Sequence, residues 1–331
     1  MDMHPSGLAL FWAAVIAGAI LLYVILDGYD LGVGILFGTT RDEAQRARMM
    51  DAIAPFWDGN ETWLVITGAV LFAAFPQAYA VFLGAFYFPV LVMLFGLIFR
   101  GLAFEFRFRS ERRRWLWDLA FFVGSILIAF AQGAAVGAMI KGVPVANGQY
   151  AGGVFGWLSP FSILTGIGLV LGYALLGAGW LVLKCEGALH DWAHERIRGL
   201  AAGVFAVLFI AFSLSLDYSK LARSSMHEKP WAFALPLIGT LALGGIIYGV
   251  GEKRDWPAFA MACVFFLASF LTLGVMFWPY MIPFSVTVAD AAAPDASLAF
   301  LFYGAGLLVL PIVVAYTVGE YWIFRGKIRK R

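Results

Sequence analysis

Seven charged side chains in the first half of the chain are of the types that form ion pairs or carry protons inside membrane proteins. Two of them, Asp58 and Glu61, stand in the segment Trp57-Asp58-Gly59-Asn60-Glu61-Thr62-Trp63, directly before an apolar run. Ionisable groups at such a place cost several kcal/mol unless they are paired or hydrated, so their presence needs a reason. The full set is Asp27, Asp30, Asp58, Glu61, Arg100, Glu105 and Asp118.

Arg100 is the deepest of these charges, since it lies about 7 Å before Glu105 along a predicted helix. A buried guanidinium needs a carboxylate partner, which Glu61, Asp58 or Glu105 can supply, and a structural ion pair would explain Arg100 fully. For Asp30 and Asp118, a position at a helix end within reach of water is an equally good explanation.

A carboxyl group that is not used in such an ion pair can serve a different function, the transfer of protons. Burial favours its protonated form and a nearby guanidinium favours its charged form, so it can exchange protons near neutral pH. A row of such acids is what a proton-uptake path needs. Asp58 is the first candidate for a relay and Glu105 the second, but the sequence leaves open which acid is paired and which relays.

Composition places the chain among membrane proteins. Its 331 residues are 62% hydrophobic and 13% charged, with a mean hydropathy of +0.84, whereas soluble proteins carry roughly 25% charged residues. The apolar residues fall into runs long enough to cross a bilayer, which takes about 20 residues per helix. We therefore predict an all-α polytopic membrane protein whose first apolar run is a retained helix.

The apolar runs predict nine transmembrane helices. They cover residues 8–26 (with an extension to 37 left open), 61–80, 83–106, 116–140, 160–183, 198–216, 231–250, 256–279 and 298–323. The second run is short and stops at Pro76, so an eight-helix arrangement is the alternative. The distribution of basic residues favours nine helices.

Most of the 23 Lys and Arg residues fall into inner loops when the N-terminus is outside and the C-terminus is cytoplasmic. These loops are 39–60, 107–115, 184–197, 251–255 and 324–331. A faint repeat at an offset of 150 residues favours a parallel duplication. It predicts a first four-helix bundle at 1–140 with the charged cluster on its inner face, a second at 141–279, and a peripheral ninth helix with a basic tail at 280–331.

The chain lacks residues for a redox centre of its own. None of its four histidines, His4, His190, His194 and His227, lies in the middle of a predicted span, where a haem ligand would be expected. Cys185 and Cys263 lie far apart and suggest neither a metal site nor a disulfide. We expect no cofactor and no metal ion in this chain.

Three segments resemble subunit II of the cytochrome bd-type quinol oxidases. They are Asp27-Gly28-Tyr29-Asp30-Leu31-Gly32-Val33-Gly34, Ala52-Ile53-Ala54-Pro55-Phe56-Trp57-Asp58-Gly59-Asn60-Glu61-Thr62-Trp63 and Phe99-Arg100-Gly101-Leu102-Ala103-Phe104-Glu105. Further similarity lies at 71–76 and 276–283, so the resemblance covers nearly the whole chain. The sequence of the second segment resembles that of the cyanide-insensitive branch of this oxidase family.

The resemblance implies a non-haem subunit of a bacterial cytoplasmic-membrane enzyme. Its partner, subunit I, would bind two haems b and one haem d, oxidise quinol and reduce oxygen to water. Protons would come from the cytoplasm, generating a membrane potential without proton pumping. This subunit would support assembly and part of the proton route, with Asp58 and Glu105 at the family's acidic positions. Some members also hold a structural quinone or a small accessory subunit, for which no position is predicted here.

A self-contained, proton-coupled secondary transporter is the competing hypothesis. A parallel repeat and membrane carboxylates would suit such a protein. However, no broken helices are evident near the midplane, and the charges lie at one end of the bundle. Membrane lipid is an expected contact in either case, and nothing indicates a nucleic-acid partner.

Overall fold

The computed structural model describes residues 5–110, 112–218, 228–252 and 254–328, with the backbone alone at 215–218. His4, His227, residue 253 and residues 329–331, which enter the predictions above, lie outside the described residues.

The first half of the chain forms five helices. They are α1 (Gly7–Phe37), α2 (Glu43–Ile53), α3 (Trp57–Ala74), α4 (Pro76–Phe106) and α5 (Arg114–Lys141). The prediction of a helix over 61–80 is wrong in its boundaries, because a new helix begins at Pro76. Proline fits the first turn of a helix, where its missing N–H is not needed. The extension of the first helix to residue 37 is confirmed.

The second half continues the helical pattern. It comprises α6 (Pro160–Lys184), α7 (Ala188–Tyr218), a 3₁₀ turn (Pro230–Phe233), α8 (Ala234–Gly251), α9 (Trp256–Phe277), α10 (Val288–Ala291), α11 (Asp295–Leu301), a π-helical stretch (Phe302–Val309) and α12 (Leu310–Ile323). Two short antiparallel hairpins lie between helices. They pair β1 (Val145–Ala146) with β2 (Gln149–Tyr150), and β3 (Tyr280–Ile282) with β4 (Val286–Thr287).

Eight helical stretches within the described residues are long and apolar enough to cross a membrane. The stretch from α11 to α12 counts as one of them, because its helices run on without a break. Helix α3 does not qualify, although it is 18 residues long, since its first turns carry Asp58, Asn60 and Glu61. The predicted class, an all-helical membrane protein with many spans, is confirmed.

The predicted inner loop 39–60 contains a helix of its own. Asp42 caps α2 by accepting hydrogen bonds from the backbone N–H groups of Ala44 and Gln45. The helix buries Met49, Met50, Ala52 and Ile53 against the helical core. This polar connection is therefore a packed element, which the span prediction did not include.

Helix α1 lies at the centre of the molecule and packs against α3, α5 and α6. Its crossing with α6 is so close that the two backbones touch. A Cβ atom on Gly32 would lie 1.8 Å from the carbonyl oxygen of Tyr173, and one on Gly177 would lie 2.4 Å from the carbonyl carbon of Gly32. Only glycine fits at these two positions, as at other close crossings of membrane helices.

Candidate functional site

Arg100 lies at the centre of a buried group of charges. Its side chain is 0% exposed, and its Nη1 lies 3.4 Å from Asp27 Oδ1 and 3.7 Å from Glu61 Oε1. The guanidinium carbon also lies 5.7 Å from the ring centroid of Phe121 on α5. Three helices, α4, α1 and α3, thus supply one charge each.

Asp30 lies next to this group and is bound by an amide. Asn60 Nδ2 donates to Asp30 Oδ2 at 2.6 Å and lies 3.1 Å from the hydroxyl of Tyr29. The hydroxyl of Tyr321, from α12, donates to Asn60 Oδ1 at 3.1 Å and lies 2.5 Å from the Tyr29 hydroxyl. A hydrogen-bonded network therefore connects the last helix to Asp30.

We call Asp27, Asp30, Asn60, Glu61 and Arg100 the inner cluster. It contains three carboxyl groups but a single guanidinium, and Glu61 is the member with solvent access, at 22% exposure of its side chain. One oxygen of each aspartate, Asp27 Oδ2 and Asp30 Oδ1, has no hydrogen-bond partner among the described residues. Buried charges must be compensated, so this stoichiometry favours a cluster that holds protons on its excess carboxyl groups.

A second polar contact extends the cluster along α1. Tyr23 lies one helical turn before Asp27, and its hydroxyl accepts a hydrogen bond of 2.9 Å from Gln132 Nε2. Gln132 Oε1 accepts in turn from the hydroxyl of Tyr173 at 2.7 Å. These polar groups lie deeper among apolar helices than the inner cluster and continue its polar character.

Asp118 is not part of the inner cluster. Its Oδ1 accepts a hydrogen bond of 2.6 Å from Arg107 Nε, and its Oδ2 accepts one of 3.0 Å from Arg46 Nη1. Arg107 also pairs with Glu43 at 2.8 Å. The expectation that all seven charges share one pocket is therefore wrong for Asp118. Its ion pairs with basic residues on α2 and after α4 hold its carboxylate away from the inner cluster.

Glu105 and Asp58 also lie outside the buried cluster. Glu105 pairs with Arg109 at 2.6 Å, and both side chains are more than half exposed. It is therefore not the partner of Arg100, because its side chain projects from α4 to the surface. Asp58 is exposed in the first turn of α3, one residue before the buried Gly59. The predicted relay roles of both acids stay predictions.

Several polar residues of this region were not picked out from the sequence. They are Tyr23, Tyr29, Gln132, Glu320 and Tyr321. Their common signal is a polar side chain in a helix that is otherwise apolar. Glu320 in particular is the one acidic residue of α12 and is only 9% exposed.

Fold and site together define a class of protein: a helical membrane protein of many spans with a buried carboxyl cluster near one end of its helices. Within this class, the sequence matches the family of cytochrome bd terminal oxidase subunit II over residues 8–324. The chain belongs to that family, so the resemblance found in its motifs is confirmed. It is a subunit of a terminal oxidase, an oxidoreductase complex in which subunit I is its partner, and the transporter hypothesis is superseded.

The chain is similar to other proteins over nearly its full length. The chain is 29% identical to cytochrome bd-I ubiquinol oxidase subunit 2 of Escherichia coli K12, covering 98% of this chain and 96% of that protein. It is also 29% identical to cytochrome bd ubiquinol oxidase subunit 2 of Bacillus subtilis 168, with 96% of each covered. The bd oxidase structure of Geobacillus thermodenitrificans matches with a TM-score of 0.79 at 18% identity, over 96% of this chain and 99% of that one, and shows the shared fold.

Proposed function

We propose that this subunit takes up protons from the cytoplasmic side and delivers them toward subunit I, where quinol is oxidised and oxygen is reduced to water. The similar proteins of E. coli and B. subtilis are named ubiquinol oxidases, which supports a quinol as the electron donor. The observation that carries the proposal is the inner cluster, in which Asp27 and Glu61 lie 3.4 and 3.7 Å from one buried guanidinium and the third carboxyl group, Asp30, is bound by Asn60.

The stoichiometry of the cluster explains how it would work. One carboxylate neutralises Arg100, and the other two carboxyl groups can each hold a proton without leaving a net charge in the membrane. Glu61, being partly exposed, is the member that exchanges protons with water. Asp27 and Asp30 lie deeper in the protein, each with one oxygen free of hydrogen bonds to described residues, and the negative charge that balances Arg100 moves between Glu61 and Asp27 as a proton passes.

The proposed orientation in the membrane depends on the basic residues at the end of the molecule that carries the inner cluster. We propose nine transmembrane helices, with α3 counted among them, an outside N-terminus and a cytoplasmic C-terminus in a bacterial inner membrane. The basic residues Arg46, Arg107, Arg114 and Lys184 lie at the end that carries the inner cluster, which supports a cytoplasmic position for that end.

The two-bundle division also belongs to this proposal. Helices α1, α3, α4 and α5 would form the first bundle at 1–140, and α6 to α9 the second at 141–279. Helices α4 and α5, α6 and α7, and α8 and α9 pack extensively within the proposed bundles, and α6 joins the two bundles by equally extensive packing on α5 and α1. The segment 280–331 would contribute the ninth helix and the basic tail.

We infer that all haem of the complex is held by subunit I. Two of the candidate donor groups among the described residues are already engaged in hydrogen bonds. Both ring nitrogens of His190 are engaged, at 2.9 Å by Asp191 and at 3.0 Å by Asp255. Met93 lies in a span, but its sulfur accepts a hydrogen bond of 3.8 Å from Gln132. Purification of this subunit without its partner should yield no stoichiometric haem spectrum.

The decisive experiment for proton uptake is Asp27→Asn in the complete oxidase. The amide keeps the shape of the side chain and leaves Glu61 as the carboxylate partner of Arg100, but it cannot carry a proton, so we expect normal haem content and oxygen consumption slowed roughly tenfold or more. Glu186→Gln is the matched control, since it removes an exposed carboxylate at the same end of the molecule. Unchanged oxygen consumption in an assembled Asp27→Asn complex would refute the proposal.

A further inference from the structure

Glu320 is a buried carboxyl group that the proposed route does not yet use. It lies in the last turn of α12 and is 9% exposed, and its Oε2 is buried without a hydrogen-bond partner among the described residues. The carboxylate occupies the space that the missing side chain of Gly59 leaves open, because a Cβ atom there would lie 2.6 Å from Glu320 Oε2. The last helix therefore presents an acid directly to α3.

The position of this contact links the surface acid to the inner cluster. Gly59 stands between Asp58, which is exposed, and Asn60 and Glu61, which belong to the inner cluster. Asp58 is close enough to act electrostatically on Glu320, and Tyr316, one turn earlier on α12, hydrogen-bonds to the same carboxyl group. The neighbouring Tyr321 donates a hydrogen bond to Asn60.

The two acids have opposite electrostatic environments. Asp58 lies in the first turn of α3, where the helix dipole stabilises a negative charge, and it is hydrated. Glu320 lies in the last turn of α12, where the dipole disfavours a negative charge, and it is buried. Two carboxyl groups that act on each other disfavour double ionisation. The arrangement therefore disfavours a negative charge on Glu320.

We propose that Glu320 of the last helix is a proton-carrying residue of this oxidase, passing protons from Asp58 to the inner cluster. The inference rests on the proposed proton uptake. In each transfer Glu320 gives its proton to a carboxylate of the inner cluster, which passes a proton on toward subunit I. Asp58 then takes up a proton from the cytoplasmic side and releases it to Glu320. Each carboxyl group returns to its starting form, and no electron moves.

The test compares Glu320→Gln with Glu320→Asp in the complete oxidase. For Glu320→Gln we expect intact haem content, oxygen consumption lowered roughly tenfold or more, and a changed pH profile. The infrared absorbance of protonated carboxylic acids should also lose one group. Glu320→Asp should retain a substantial fraction of activity, because it keeps the proton-carrying group.

Two comparisons make the outcome decisive. The control Glu186→Gln removes an exposed acid and should leave turnover and the infrared band unchanged. Asp27→Asn, measured in parallel, reports on the proposed function itself. Normal turnover and pH profile in Glu320→Gln, with slow Asp27→Asn, would overturn the role of Glu320 and leave proton uptake standing. Normal turnover in both variants would refute the proposed function.

Discussion

The amide of Asn60 donates to Asp30 across 2.6 Å, and both side chains are completely buried. The bond joins α3 to α1, and Tyr321 adds α12 through the amide oxygen. Asn60 thus positions a carboxyl group of the inner cluster and connects it to the last helix, although an amide cannot itself exchange protons at neutral pH.

Asn60→Leu should destabilise the subunit by about 1–3 kcal/mol, because Asp30 and Tyr321 would be left buried without their partner. Thermal inactivation of the purified oxidase and its yield from membranes measure this effect. Thr67→Val is a matched control on the same helix, since Thr67 Oγ1 donates only to the backbone of its own helix, at Trp63. Equal stability of both variants would contradict a structural role for Asn60.

Arg100→Leu should impair assembly more than turnover. Removing the guanidinium leaves Asp27 and Glu61 without their cation, and breaking a buried pair costs about 3–5 kcal/mol. The amount of complex in membranes should fall, as measured by haem content per membrane protein. Arg109→Leu breaks the exposed pair with Glu105 and should cost about 0–1 kcal/mol, leaving the yield normal.

Asp58→Asn should leave haem content intact and slow oxygen consumption roughly tenfold or more, whereas Asp58→Glu should retain a substantial fraction of activity. The reason is that a relay must accept and release protons, which an amide cannot do. Glu105→Gln, at the second candidate from the sequence, should slow oxygen consumption less than Asp58→Asn, because Glu105 is paired with Arg109. Full activity in an assembled Asp58→Asn complex would decide for a structural role at the start of α3.

The contact between the C-terminal tail and Asp255 should weaken in acid. Burial opposes ionisation of Asp255, but hydrogen bonds from Lys327 and His190 outweigh it and hold its pKa below the ordinary value of 3.8. The bond to Asp255 in turn raises the pKa of Lys327 above 10.5. A carboxylate with a lowered pKa stabilises the folded state above its unfolded pKa, and this contribution disappears as the pH falls through the folded value.

The contact of the tail should therefore be constant around neutral pH and weaken below about pH 4. A spin label on Gly326→Cys would report the mobility of the tail as the pH is lowered. Lys327→Gln should make the tail mobile at neutral pH, while Arg325→Gln, which removes a cation stacked on Trp322, should not. A tail equally immobile in both variants would contradict the role of the Lys327–Asp255 pair.

Much of the architecture could be predicted from the sequence, because apolar runs of sufficient length leave a chain few choices in a membrane. The prediction failed where two helices meet without a polar break, at Pro76, and where a polar loop folds as α2. Hydropathy alone does not carry those signals, since α2 is stabilised by its cap at Asp42 and by packing.

The candidate site was predictable in part. The sequence indicated that Arg100 needs an acid and named Glu61, but it did not identify Asp27, which is 73 positions away in the chain and closer in space. Glu320 was overlooked because a single acid near the end of an apolar helix resembles an ordinary interfacial residue. The proximity to Gly59 that distinguishes it depends on tertiary packing, which a single sequence does not reveal.

The contact of α1 with α6 at Gly32 and Gly177 has a mechanical consequence. Helices whose backbones touch can neither slide nor rotate past each other without a steric clash, and α1 carries Asp27 and Asp30 within two turns of that contact. The backbone positions of the two aspartates are therefore fixed by the packing of α1 on α6. Whatever gating the enzyme needs must come from rotation of side chains, such as that of Glu61, or from the arrival of water. Replacing either glycine by a larger residue would separate α1 from α6 and displace both aspartates.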